Sequence, residues 1–200
     1  MSTKPKRKAK PRVPRKPKAK PARKRAVPSK KPEKKVSELP PEKTFTLVIR
    51  LQGPVAVPRY MESTLRSFRL DRRFSAVLLE KSENLIGMLR QAKDYVTWGD
   101  AKTEDIAELL KERGELIGGH HVTDEFVKES FGEESVDRLA AAITRGQIDL
   151  KTLWQKGVKR VFRLHPPSGG FQGSIKRPFG SRGELGYRGL DISNLVARMM

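Results

Sequence analysis

Eighteen of the chain's 43 lysines and arginines, and nine of its 14 prolines, fall within the first 43 residues. Only three acids oppose them there, Glu33, Glu38 and Glu42, which leaves a net charge of +15. Proline removes helical hydrogen bonds, and like charges extend the chain. The sizeable apolar residues are Met1, Val13, Val27, Val36 and Leu39. So little apolar surface cannot offset the entropy of ordering the chain. Residues 1–43 are therefore expected to form a disordered basic tail, with Ser37–Pro41 as the hinge, and any packed core must come from residues 44–200. A tail of this kind neutralises phosphates without needing fixed geometry. Lys4, Lys6, Arg7, Lys8, Arg23, Lys24 and Arg25 are its candidate phosphate contacts. The same composition would also serve a solubility tail or a targeting signal.

The formal net charge of the 200 residues is +20, which favours a polyanionic partner over a small metabolite. Cysteine is absent, so disulfides, thiolate metal sites and cysteine nucleophiles are excluded. Three histidines make a histidine-rich metal site a poor expectation, and no metal or other cofactor is expected. No apolar run approaches the roughly 20 residues of a membrane helix, and the start lacks a secretory signal's apolar core. The expectation is a soluble intracellular protein with no membrane partner. Beyond the tail the charge is segregated. Residues 44–99 carry +4, residues 100–150 carry −7 and residues 156–190 carry +7. The acidic middle should face away from the polyanion.

Thr44–Leu51 alternates, with Phe45, Leu47, Ile49 and Leu51 on one face and Thr46 and Arg50 on the other, as in a half-buried strand. Pro58 can open a helix over Arg59–Leu70, lined by Met61, Leu65 and Phe68. Phe74–Leu79 reads as a second strand and Asn84–Ala92 as a second helix. Tyr95–Trp98 reads as a third strand, stopped by Gly99. Two helices can cover one face of such a sheet and leave the other free. Three helices come next, capped by Thr103, Thr123 and Ser135 and stopped at Gly114, Gly132 and Gly146. Val161–Leu164 can be a fourth strand. Residues 166–189, with seven glycines and three prolines, read as an irregular arm, and Ile192, Leu195, Val196 and Met199 mark a closing helix. The fold class is α+β: a small β-α-β-α-β sheet with two helices on one face, a helical extension and an irregular basic C-terminal arm. The expected divisions are tail 1–43, core 44–99, acidic helical extension 100–155, and arm with helix 156–200.

In the arm, Arg163, Lys176, Arg177, Arg182 and Arg188 alternate with Phe171, Phe179 and Tyr187. Arginine forks bind phosphate, rings stack on unpaired bases, and glycine lets backbone approach closely. The same rings could instead form a satellite of the core. His165, before Pro166, is a structural residue or a phosphate contact. No residue pattern in the chain builds an enzyme or a small-molecule site. The glycines at 169, 170 and 173 match no phosphate loop, Gly180-Ser181-Arg182-Gly183 is not a nucleophile elbow, and His120-His121 has no third ligand. The acid pairs Glu104-Asp105, Asp124-Glu125 and Glu133-Glu134 sit near helix starts, where the helix dipole accounts for them.

Residues 44–96 resemble the L-thirty family of large-subunit ribosomal proteins, L-seven in eukaryotes. The likeness rests on Thr46-Leu47-Val48-Ile49-Arg50, on Ser63-Thr64-Leu65-Arg66-Ser67-Phe68-Arg69-Leu70 with Arg72-Arg73, and on Asn84-Leu85-Ile86-Gly87-Met88-Leu89 and Lys93–Gly99. The acidic middle, Val161–Pro167 and Gly186-Tyr187-Arg188-Gly189 are similar to the longer archaeal form, while the basic tail is more typical of the eukaryotic member. The resemblance implies a non-catalytic protein of the cytoplasmic ribosome. It would pack on large-subunit rRNA near 5S rRNA, among neighbouring ribosomal proteins. It implies RNA contact at the first strand's end, the first helix and the next loop, here Arg50, Arg59, Arg66, Arg69, Arg72 and Arg73. The resulting expectation is a structural rRNA-binding constituent of the large subunit. The alternative is a DNA-compacting, linker-histone-like chromatin protein, whose tail would look the same but whose body would be a winged helix.

Overall fold

The protein is described from a computed structural model covering residues 43–55 and 57–200. The expected disordered tail, with its candidate contacts Lys4 to Arg25, lies outside the described residues. The expected β-α-β-α-β order is present, as β1 (Phe45–Arg50), α1 (Arg59–Ser67), β2 (Ser75–Glu80), α2 (Glu83–Gln91) and β3 (Val96–Ala101). Strand β1 is central and antiparallel to both neighbours, with Leu47 opposite Leu78 of β2 and Gly99 of β3. Four helices come after it: α3 (Thr103–Arg113), α4 (Asp124–Phe131), α5 (Val136–Thr144) and α6 (Leu150–Gln155). Next are β4 (Val161–Arg163), β5 (Ser174–Pro178), β6 (Gly183–Gly189) and α7 (Ile192–Ala197). The strands form one sheet in the order β4-β2-β1-β3-β6-β5.

Two expectations are corrected by this arrangement. The sheet has no free face, and β1 is buried along its whole length rather than on one side. Helices α1 and α2 cover the Thr46, Val48 and Arg50 side, where Val48 packs with Met61, Leu65, Leu85, Leu89 and Trp98. The more apolar side, Phe45, Leu47, Ile49 and Leu51, is closed by the acidic extension and α7, through Ile106, Leu109, Leu139, Ile143 and Ile192. Full burial of each such side chain stabilises by about 1.5–3 kcal/mol, which explains why the extension folds back.

The second correction concerns the arm, which is not irregular. Strand β6 joins the sheet parallel to β3, with Trp98 opposite Tyr187, and β5 lines its outer side. Glycine makes this possible. A Cβ on Gly99 would sit 2.7 Å from Ile192 Cβ and collide with the Gly189 carbonyl, so Gly99 does not end β3 but lets β6 and α7 cross it. A Cβ on Gly183 would likewise strike the Arg177 backbone. Gly173, against the Arg182 backbone, and Gly183 thus serve the arm's own strands, while Gly169, Gly170 and Gly180 lie outside them with positive φ.

Local signals otherwise match closely. Ser82, Thr123 and Ser135 accept from the backbone N–H groups of Leu85, Phe126 and Arg138, each three residues on. Thr103 is not a cap. Its hydroxyl bonds Thr144 Oγ1 at 3.2 Å, and Asp105 instead accepts from the Lys102 N–H at 2.9 Å. Helix α1 stops at Ser67, a turn before Leu70, in a Schellman closure. The Arg69 N–H donates to Arg66 O at 2.8 Å and the Leu70 N–H to Leu65 O at 2.9 Å. Its left-handed position, φ +60°, is held by Arg69 where glycine is usual.

Candidate nucleic-acid interface

The cations expected at the first helix divide into one structural residue and five outward ones. Arg50 is 2% exposed and is withdrawn as an RNA contact. Its Nε donates to Gln52 O, its Nη1 to Leu70 O at 2.6 Å and Asp71 O at 3.1 Å, and its Nη2 to Gly53 O. The alternation of β1 points Arg50 at α1, where its buried guanidinium needs acceptors, and four backbone carbonyls supply them. Burial pulls its pKa below the ordinary arginine value, and the charges of Asp71 and Glu62 oppose this. Arg50 thus clamps the β1–α1 loop to the α1–β2 turn.

Around that clamp, Arg59, Arg66, Arg69, Arg72 and Arg73 are exposed. Arg66 and Arg69 line a cleft of about 690 Å³ between α1 and the β1–α1 loop, with Pro54, Val57 and Leu65 as its apolar floor. Arg66 meets Glu62 one turn back at 3.0 Å, an exposed i,i+4 pair that leaves most of the fork free. Arg73 is the most constrained of the five. It donates to Leu51 O at 2.8 Å and lies 4.5 Å from the Phe74 ring centroid. Tyr60 stands out from the first turn of α1 at 71% exposure, an aromatic surface that the strand-and-helix pattern did not flag.

The remaining candidates lie at the two edges of the sheet. Arg163 and His165 are exposed on and after β4, at one edge. Lys176, Arg177 and Arg182 are exposed on β5 and the following turn, at the other. The structure therefore does not gather the candidates into one site, and it withdraws a second one. The Arg188 side chain is 7% exposed and ion-paired with Glu184, equally buried. Its Nε donates to Thr97 Oγ1 at 2.9 Å and its Nη2 also to Glu184 O. The guanidinium covers one face of Phe179, 4.6 Å from the ring centroid, leaving that ring 38% exposed. Tyr187 is 54% exposed, but its hydroxyl donates to Asp100 Oδ2 at 2.8 Å and its ring lies 6.5 Å from that of Trp98. That bond raises the Tyr187 pKa above its usual value. At Asp100, burial pushes upward, but the hydrogen bonds from Lys81 and Tyr187 outweigh it and hold the carboxyl below its ordinary value.

Two cations on the approach to β4 were missed, Lys159 and Arg160. Lys159 pairs with Glu115 at 2.6 Å, and the exposed Arg160 lies 4.3 Å from the Trp154 ring centroid. Adjacent cations five residues after a tryptophan and directly before a strand were the available signal. The described residues include no His, Asp and Glu group that could hold a metal, and no helix long and apolar enough to cross a membrane.

Comparison with known proteins adds to this geometry. The family model described as ribosomal protein L30p/L7e matches residues 46–96, which is the β-α-β-α-β segment. A protein of Thermofilum pendens named large ribosomal subunit protein uL30 is 46% identical over 155 residues, 77% of this chain and 97% of that one. The uL30 protein of Methanopyrus kandleri is 44% identical over 151 residues, 75% of this chain and its own full length. That of Caldivirga maquilingensis is 38% identical over 174 residues, 79% and 92% of the two chains.

Proposed function

The chain belongs to the ribosomal protein L30p/L7e family, and on that basis we propose that it is a non-catalytic, structural component of the large ribosomal subunit that binds rRNA. The observation that carries the RNA reading is the exposed array Arg59, Arg66, Arg69, Arg72 and Arg73 on α1 and the turn after it, with Arg66 and Arg69 lining the α1 cleft. Arginine forks on one helix and one turn suit phosphates of a folded RNA, and the rigid Arg50 clamp beneath fixes their spacing. The acidic extension supports the orientation, since its −7 charge would be repelled by the same RNA. Lys176, Arg177 and Arg182 would meet a second RNA segment, and residues 1–43 would add sequence-independent attraction. The resemblance extends this to 5S rRNA nearby and to neighbouring ribosomal proteins. A linker-histone-like body does not describe this six-stranded sheet with helices on both sides.

The test is sedimentation of the tagged chain with large subunits of its own cells through a high-salt cushion. Retention at near-stoichiometric level is expected. Release into the supernatant with an intact subunit would remove the structural reading. Binding of purified chain to large-subunit rRNA should also be steeply salt-dependent. If about 6–10 phosphates are neutralised, affinity falls by about 10³–10⁵ between roughly 50 and 200 mM salt.

A further inference from the structure

Arg69 lines two clefts. One is the α1 cleft, and the second, of about 370 Å³, opens toward the β4 edge between Ile117, Trp154, Lys159 and Arg160. Ile117 is 76% exposed at the tip of a short turn, an apolar side chain with no packing role to explain it. In the same cleft the Arg160 guanidinium carbon lies 4.3 Å from the Trp154 ring centroid, so this exposed, planar cation is backed by an aromatic ring. Glu115 neutralises Lys159, and the charge of Arg163 also bears on that carboxylate, leaving Arg69 and Arg160 as the cleft's cations. Arg69 owes its direction to the left-handed backbone at which α1 ends, an uncommon conformation for a non-glycine residue. A planar cation, an apolar wall and a second cation within a cleft of small-ligand size fit a nucleotide.

We propose that this β4-edge cleft is a second RNA site that takes one unpaired nucleotide, its base stacked on the Arg160 guanidinium against Ile117 and its phosphate on Arg69. The inference rests on the rRNA-binding reading, and makes Arg69 the pivot at which an RNA strand passes from the α1 cleft around the sheet edge. Stacking distinguishes it from simple charge attraction. Base stacking is worth about 1–3 kcal/mol, roughly 5- to 150-fold in affinity.

The test is binding of the full chain to large-subunit rRNA across a salt series. Arg160→Gln should weaken binding within that range with a salt slope lowered by no more than about one. Arg160→Lys, which keeps the charge but not the plane, should lose nearly as much. Full rescue by Arg160→Lys would overturn the stacked nucleotide. Unchanged binding by Arg160→Gln, alongside weakened binding by Arg66→Gln, would overturn the second site and leave the first interface standing. Failure of the wild-type chain to bind rRNA would remove the underlying reading and this one with it. An iron chelate tethered to Ile117→Cys, the only cysteine in the chain, should cleave bound rRNA locally, and absence of cleavage would count equally against the proposal.

Discussion

Residues 59–74 and 171–188 both mix arginine with aromatic rings, yet their arginines have different surroundings. In the first stretch Arg59, Arg66, Arg69 and Arg72 stand exposed on α1 and the turn after it, with Arg66 meeting only Glu62 on its own helix, and the rings mostly face the core. In the second, Lys176, Arg177 and Arg182 are exposed, but Arg188, on the inner strand β6, is buried on Glu184, Thr97 and Phe179. A basic, ring-bearing segment therefore attracts RNA only through the cations its own fold has not already consumed. Arg50 makes the same point within the first region.

The strongest challenge to this contrast is Arg188→Met. Removing one partner of a buried ion pair costs about 3–5 kcal/mol, so the variant should melt far below the wild type. A normal melting temperature with weakened RNA binding would make Arg188 a ligand residue and erase the contrast. Next in size is the double variant Arg66→Gln with Arg72→Gln. It should lower the salt slope of RNA binding by about two and leave stability within about 0.5 kcal/mol. Equilibrium unfolding and filter binding on the same samples check both halves.

Arg69→Gly probes the first region alone. Glycine accepts φ +60° without the Cβ penalty, so unfolding should become harder by about 0.5–1 kcal/mol, while one unit of salt slope is lost. Stability and binding then move in opposite directions, a mark of backbone strain kept at a binding residue. The smallest effect belongs to Tyr187→Phe. The Tyr187 pKa is raised in the fold, so its bond to Asp100 stabilises below pH 10 and is lost as pH rises through the higher folded value. The Asp100 pKa is lowered, so its contribution is present above its unfolded value of 3.8 and fades as pH falls through the depressed one. The wild type should out-melt the variant slightly at neutral pH and lose that lead above pH 10. A lead that persists at high pH would detach Tyr187 from Asp100.

Much of the fold was legible in the chain. The period-2 pattern of Phe45–Leu51 and the stripes of α1 and α2 carried the first five elements. Thr123 and Ser135 mark helix starts because capping is chemically local, whereas Thr103 does not cap its helix. What the pattern could not carry was non-local. Thr46 and Arg50 read as a solvent face, because nothing in their neighbourhood reveals that backbone carbonyls from residues 52, 53, 70 and 71 will receive the guanidinium. Gly173 and Gly183 looked like loop residues for a similar reason, since no local pattern shows that the Arg182 and Arg177 backbones will pack on them. Among the candidate contacts, sequence supplied the cations, but only burial separated Arg50 and Arg188 from Arg59, Arg66, Arg69, Arg72 and Arg73.

The two-sided burial of β1 also orders events in time. Strands β1 to β3 with α1 and α2 need only neighbouring sequence, and they are complete once a growing chain has passed residue 101. At that moment Phe45, Leu47, Ile49 and Leu51 form an uncovered apolar sheet face, whose cover must still be synthesised. The last strand, β6, closes onto β3 across 89 residues, between Thr97 and Gly186, and α7 follows it. Distant pairing of this kind is slow, and exposed sheet is prone to aggregate before it is met. A half-made chain is therefore a sticky one until the acidic extension, which precedes α7 in the chain, covers that face.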